Sequence, residues 1–265
     1  MALPIWPYQT IGDSYRPALI FLHGFMGAGS DWSSIAKTLA DQFYCILPDL
    51  PGHGWNTDFP LTHPLDFATV ADGLQQLIDR LGLAQVHLAG YSLGGRIALY
   101  TAICFPQLIT TLVIESANPG LEAEPARLSR AALDDQRAEQ IMADGMDAFV
   151  EQWYQLELFR SLQTQPELLD SIKVRRKKND PRWAAKIIRE LSPGRQPSLW
   201  DRLDSLPMPT LLLAGALDPT YTTMVTQMGQ KIAQATIEIV PDAGHNIHLE
   251  QPETFSRIMR SFLHR

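Results

Sequence analysis

Short apolar runs alternate with amphipathic stretches through the first 120 positions of the chain. Residues 19–22, 44–47, 86–89 and 111–114 are almost wholly apolar, the pattern of strands covered on both faces. Between the second and third runs, Asp66 is placed to cap a helix. Its apolar face would be Phe67, Val70, Leu74, Leu77, Ile78 and Leu81, and Gly82 follows as its stop. Strand alternating with helix predicts a parallel sheet with right-handed crossovers.

The pattern changes after Pro119-Gly120. Residues 121–200 show helical periodicity and no convincing strand, with breaks at Pro166, Pro181 and Pro193-Gly194. This stretch reads as a helical insertion laid on the sheet. From Thr210 the first pattern resumes: a strand at 210–214, a helix at 221–235, a strand at 237–240 and a closing helix at 252–263 with Pro252 in its first turn. The expected organisation is a core of 1–120 and 201–265 interrupted by a helical cap of 121–200. No internal repeat or low-complexity tract is visible. The uncharged stretch 97–114 is broken by Pro106, with Gln107, Thr110 and Thr111 after it. It reads as helix, turn and strand rather than a membrane span.

At 265 residues and 45% hydrophobic content the chain can bury a full core, which excludes a disordered protein. A formal net charge of -7 disfavours a nucleic-acid partner, so an anionic small substrate would need a local cationic pocket. Cys45 and Cys104 sit in apolar runs and read as buried free thiols of a reducing compartment. Residues 1–8 lack a basic segment and carry Pro4 and Pro7, so no secretory leader is expected. A cytoplasmic location without stable membrane insertion follows, and the oligomeric state stays open, a monomer being sufficient.

The strongest motif is Gly90-Tyr91-Ser92-Leu93-Gly94, with a predicted strand running into it and a predicted helix leaving it. That is the context of a nucleophile elbow, where a serine sits on a strained strand-to-helix turn flanked by small residues. A serine hydroxyl needs a neighbour to take its proton. In this architecture the partners follow in the order serine, acid, histidine. Asp218 lies just past the strand at 210–214, and His245 follows the strand at 237–240 next to the small Ala243-Gly244 pair. His248 is the rival base. Asp242 is the rival acid, too close to His245 in sequence to orient it easily. His53, His63, His87 and His264 read as solvated or packing residues. Segment 21–25 (FLHGF) ends an early strand and begins the loop that donates one oxyanion-hole amide in this fold, so the donors would be the Phe25 and Leu93 N–H groups. His23 reads as a residue pinning that loop. The predicted class is α/β, an α/β-hydrolase fold: a mostly parallel sheet flanked by helices, with a helical cap insertion.

Arg96 lies four residues after Ser92, on the same face at the start of the helix. Long helical side chains lean toward the N-terminus, so Arg96 can reach the mouth of the site, where its fork suits a carboxylate. The plain alternative is a structural salt bridge.

Five segments taken together resemble one family: 21–27 (FLHGFMG), 49–54 (DLPGHG), 90–96 (GYSLGGR), 115–121 (ESANPGL) and 243–246 (AGHN). That family is the 2-succinyl-6-hydroxy-2,4-cyclohexadiene-1-carboxylate synthases of menaquinone and phylloquinone biosynthesis. The elbow and DLPGHG are shared with many relatives. Arg96, residues 118–121 and Trp153-Tyr154 are the discriminating pieces. The resemblance implies elimination of pyruvate from 2-succinyl-5-enolpyruvyl-6-hydroxy-3-cyclohexene-1-carboxylate, a small tricarboxylate, without added water and with no metal or organic cofactor. It aligns Arg130 with a second carboxylate binder, for which Arg127 is the bland neighbour. It aligns Trp153 with a substrate contact, where core packing is the default. A third binder falls in 173–179. Arg176 is preferred to Arg175 because Asn179 then matches the pattern. Tyr91, beside Ser92, is expected to line the pocket.

Two other functions stay open at this point. A carboxylesterase or carbon–carbon bond hydrolase would use the same Ser92, His245 and Asp218, and Arg96 is the feature that argues against it. A ligand-binding protein that merely retains the fold would have little use for an intact serine, histidine and acid.

Overall fold

The computed structural model describes residues 5–264. The reading of 1–8 as free of a leader falls partly outside that range. Seven strands form one sheet: β1 (Tyr8–Ile11), β2 (Ala18–Leu22), β3 (Tyr44–Pro48), β4 (Val86–Tyr91), β5 (Ile109–Glu115), β6 (Thr210–Gly215) and β7 (Ala235–Val240). Their spatial order is β1-β3-β2-β4-β5-β6-β7, with β1 antiparallel to β3 and every other pairing parallel.

Side-chain alternation explains why the central strands read as unbroken apolar runs. In β2, Ala18, Ile20 and Leu22 join one core layer while Leu19 and Phe21 join the other. β6 divides the same way, Leu212 and Ala214 against Leu211 and Leu213. Helices cover both faces. α1 (Ser33–Leu39) and α9 (Pro252–Leu263) bring Ile35, Leu39, Phe255 and Met259 to one layer. α2 (Phe67–Arg80), α3 (Leu93–Cys104) and α7 (Pro219–Gly229) bring Val70, Leu74, Ile97, Leu99, Val225 and Met228 to the other. Asp66 caps α2 by accepting from Thr69 N at 2.7 Å, and Gly82 takes the left-handed conformation that ends it.

The segment between β5 and β6 is helical. It holds α4 (Glu124–Trp153), α5 (Pro166–Arg176) and α6 (Pro181–Glu190), each with proline in its first turn. Gly145 breaks the helical backbone of α4 with φ of 78°. This cap has its own core of Ala138, Ile141, Phe149, Val150, Leu162, Leu169 and Ile172, and Met26 of the sheet's loops inserts into it. The short α8 (Ile247–Glu250) completes the fold. No helix among the described residues is long and apolar enough to cross a membrane.

Two elements differ from the sequence reading. β1 was not foreseen, because its exposed edge residues carry almost no apolar signal. The helix expected over 221–235 runs over Pro219–Gly229 instead. Asp218 caps it by accepting from Tyr221 N at 3.1 Å, and the chain must turn early to reach β7, which begins at Ala235.

Candidate active site

The chain passes from β2 outward to β3, then crosses to β4 on the other side of β2. Beyond the carboxyl ends of β2 and β4 lies the crevice that this reversal opens, the usual ligand position in such sheets. β2 delivers the loop of His23, Gly24 and Phe25 to it, and β4 delivers Ser92.

Ser92 sits at φ 51°, ψ −111°, a strained conformation for a residue with a Cβ. Close packing enforces it. A Cβ on Gly90 would lie 2.4 Å from Gly94 O, and one on Gly94 would lie 2.2 Å from Leu22 O. Ser92 N donates to Glu115 O at 2.9 Å, tying the elbow to the end of β5. His245 Nδ1 donates to Asp218 Oδ2 at 2.9 Å, which leaves Nε2 as an acceptor 3.2 Å from Ser92 Oγ. Asp218 and His245 are buried, and Ser92 is partly open to the pocket.

The loop that carries His245 is held by two buried glutamates. Glu250 accepts from Gly244 N at 2.9 Å and Asn246 N at 3.0 Å, the two amides flanking His245. Glu115 accepts from His248 N at 3.0 Å and from its Nδ1 at 2.8 Å, while the His248 ring stacks on Trp32 at 4.1 Å. His248 is therefore committed to packing. Asp242 is exposed, and the carboxylate bonded to the imidazole is that of Asp218. Sequence reasoning did not single out either glutamate.

The oxyanion loop is fixed from beneath. His23 Nε2 accepts from Leu50 N at 3.0 Å, so its Nδ1 carries the proton and donates to Gly24 O at 2.8 Å. Burial lowers the His23 pKa to about 4, which keeps the ring neutral. Burial also lowers His53 to about 3, and its ring packs edge-on against His23. Leu93 begins α3, so its amide has no acceptor within the helix. Phe25 and Leu93 line the same pocket as Ser92. Cys45 and Cys104 are both free, Cys45 buried and Cys104 half-buried.

That pocket, about 100 Å³, is walled by Phe25, Arg96, Arg130, Trp153, Ile187 and Tyr221. Arg96 forms no salt bridge among the described residues. Its Nη1 donates to Leu191 O at 2.9 Å and Gln196 Oε1 at 3.1 Å, and its guanidinium lies 5.3 Å above the Phe67 ring. Burial lowers its pKa to about 10, so it stays charged at neutral pH. Arg130 Nε donates to Asp134 at 2.8 Å. Trp153 packs edge-on against Phe25 at 5.4 Å.

Two expected site residues, Arg176 and Tyr91, lie outside this pocket, as do the alternatives Arg175 and Arg127. Arg176 pairs with Asp31 at 2.7 Å and lines a separate cleft of about 480 Å³ behind the oxyanion loop, beside Met26, Gly27 and Trp55. Arg175 also leans on Asp31, at 3.5 Å. Tyr91 is buried under that loop, with its hydroxyl bonded to Asn246 and its ring against Gly24 and His245. Arg127 donates to Leu121 O at 3.2 Å and ties down the start of the cap. Among the described residues no cluster of three or more His, Cys, Asp or Glu side chains is placed to hold a metal.

Known proteins agree with this architecture. A profile described as alpha/beta hydrolase fold matches residues 17–252. A putative 2-succinyl-6-hydroxy-2,4-cyclohexadiene-1-carboxylate synthase of Bacillus subtilis is 36% identical over 95% of this chain and 92% of its own length. Protein PHYLLO, chloroplastic, of Arabidopsis thaliana is 35% identical over 97% of this chain, which spans 16% of that much longer protein. The structure of MenH from S. aureus superposes with a TM-score of 0.92 at 31% identity, covering 97% of both chains. The chain belongs to the α/β-hydrolase fold family and, within it, to the 2-succinyl-6-hydroxy-2,4-cyclohexadiene-1-carboxylate synthases.

Proposed function

We propose that the chain eliminates pyruvate from 2-succinyl-5-enolpyruvyl-6-hydroxy-3-cyclohexene-1-carboxylate. The observation that carries this reading is a continuous Asp218–His245–Ser92 relay opening into a pocket that also contains Arg96 and Arg130. His245, held by Asp218, accepts the Ser92 proton as Ser92 Oγ takes the proton from the ring carbon beside the succinyl ketone. The enolate oxygen is steadied by the Phe25 and Leu93 amides. Electrons move through the ring double bond and the ring carbon–oxygen bond breaks, leaving the conjugated diene and the enolate of pyruvate. That enolate takes up the proton held on His245 and departs as pyruvate, returning the relay to its starting state. Arg96 and Arg130 hold substrate carboxylates, and Trp153 covers the ring. Arg176 serves the reaction indirectly, by pinning the cap and Asp31 to the oxyanion loop. The substrate is a soluble anion, and the chain works in the cytoplasm without a nucleic-acid partner.

The cavity of about 100 Å³ is smaller than the several hundred Å³ usual for ligand sites, so binding widens it between α6 and the Arg96 face. Purified protein incubated with this substrate should release pyruvate and raise the diene absorbance together. No acceleration over the spontaneous reaction would refute the proposal. Rapid hydrolysis of simple activated esters, indifferent to substrate carboxylates, would favour a hydrolase instead.

Arg96→Ala should lower kcat/KM by about 1.5–3 kcal/mol, roughly 10- to 150-fold, if it holds a carboxylate by charge-assisted hydrogen bonds. Steady-state kinetics check this. A change below about threefold would assign Arg96 only its contacts with Leu191 and Gln196.

A further inference from the structure

Tyr221 is tied to the relay through Asp218. One oxygen of Asp218 accepts from His245 Nδ1, and the other accepts from Tyr221 N at 3.1 Å. This places the Tyr221 ring 4.7 Å from the His245 ring and on the wall of the Ser92 pocket, with Arg96 and Arg130.

Its hydroxyl has a defined polarity. Gly120 N donates to Asn118 Oδ1 at 3.0 Å, which orients that amide so that Nδ2 faces the Tyr221 oxygen at 3.5 Å. Asn118 is held in turn, because Gln196 Nε2 donates to its carbonyl at 3.3 Å while Gln196 Oε1 accepts from Arg96. The phenol oxygen therefore accepts, and among the described residues no protein acceptor takes its proton. Burial raises the Tyr221 pKa, so that proton is present at neutral pH. A donor with no acceptor, beside two arginines and in the same pocket as the nucleophile, is complementary to an anionic oxygen.

We infer that Tyr221 is a substrate-binding residue whose hydroxyl donates a hydrogen bond to the substrate carboxylate held by Arg96. This rests on the carboxylate-binding reading of the pocket given above. It adds a neutral donor that the network of Asn118 and Gln196 aims into the site.

Tyr221→Phe removes the hydroxyl and keeps the ring against His245. It should lower kcat/KM for the tricarboxylate substrate roughly tenfold or more, with most of the loss in KM. In the double variant with Arg96→Ala, the two losses should combine to less than their product, because both side chains hold one group. A parallel titration by calorimetry compares Ser92→Ala with Ser92→Ala/Tyr221→Phe, using the same substrate. It should show a similarly weaker Kd for the second. Equal Kd values, or a Tyr221→Phe enzyme within twofold of wild type in kcat/KM, would overturn the assignment. The binding arm separates the two readings. If wild type releases no pyruvate yet the Kd values differ, the lyase reading fails and Tyr221 keeps its role. If wild type turns over and the Kd values match, the reverse holds.

Discussion

Ser92→Ala is expected to cut pyruvate release by roughly 10³-fold or more in kcat, and His245→Ala to do the same. The reason is geometric. Among the described residues the base positioned at Ser92 Oγ is His245 Nε2 at 3.2 Å, and the tautomer that makes Nε2 an acceptor exists because Nδ1 donates to Asp218 at 2.9 Å. Removing either side chain breaks one proton path, so the double variant should lose little beyond either single change. Ser92→Ala should fold normally, whereas His245→Ala leaves the buried Asp218 with the Tyr221 amide and is confirmed folded by circular dichroism before assay. Ser92 is partly exposed to the pocket, and the elbow is fixed by Gly90 and Gly94 rather than by the hydroxyl. Single-turnover pyruvate release distinguishes the outcomes. A Ser92→Ala protein with more than a tenth of wild-type activity, or a double variant showing the product of both losses, would mean that the proton leaves by another route.

The double burial of the central strands made them legible, because runs such as LIFL at 19–22 have no polar face to offer. Strand β1 was illegible for the converse reason: its residues are mostly exposed and its register comes from pairing with Cys45 to Pro48. Local chemistry likewise exposed Ser92, since its turn demands small neighbours at fixed offsets. Spatial chemistry did not show in the sequence. Nothing near Glu250 announces that its two oxygens hold the amides on either side of His245. Tyr221 acquires its meaning only through Asn118, just before the cap insertion, and Gln196, near its far end. The spacing to Asn179 favoured Arg176 over Arg175, but nothing in the sequence showed that Arg176 would pair with Asp31. The rotation of α5 turns Arg176 inward onto Asp31 and leaves Arg175 half-exposed.

That inward turn gives the second large effect, on stability. Arg176→Ala should destabilise the fold by about 3–5 kcal/mol, because it strands a buried carboxylate. Asp31 and Arg176 side chains are only 4% and 7% exposed and meet at 2.7 Å. Burial pushes the Asp31 pKa up, but the Arg176 charge and hydrogen bond outweigh it and bring the value down to about 2. The folded value lies below the unfolded one, so wild type gains about 2 kcal/mol from this carboxylate above pH 4. That gain is lost as pH falls toward 2. Without Arg176 the sign reverses. With only the half-exposed Arg175 and the Ala28 amide left beside it, burial outweighs them and raises the folded pKa above the unfolded one. The variant should therefore become more stable as pH falls from 7 toward 4, a range over which this group's contribution to wild type stays constant. Urea midpoints measured across that range read both effects. Asp31→Leu/Arg176→Met should recover much of the lost stability by replacing the pair with apolar volume. It should not recover full activity, because Asp31 also accepts from Ala28 N at 3.3 Å in the loop that carries Phe25. An Arg176→Ala protein with an unshifted midpoint and a flat profile from pH 7 to 4 would show that the pair contributes nothing to holding cap and loop together.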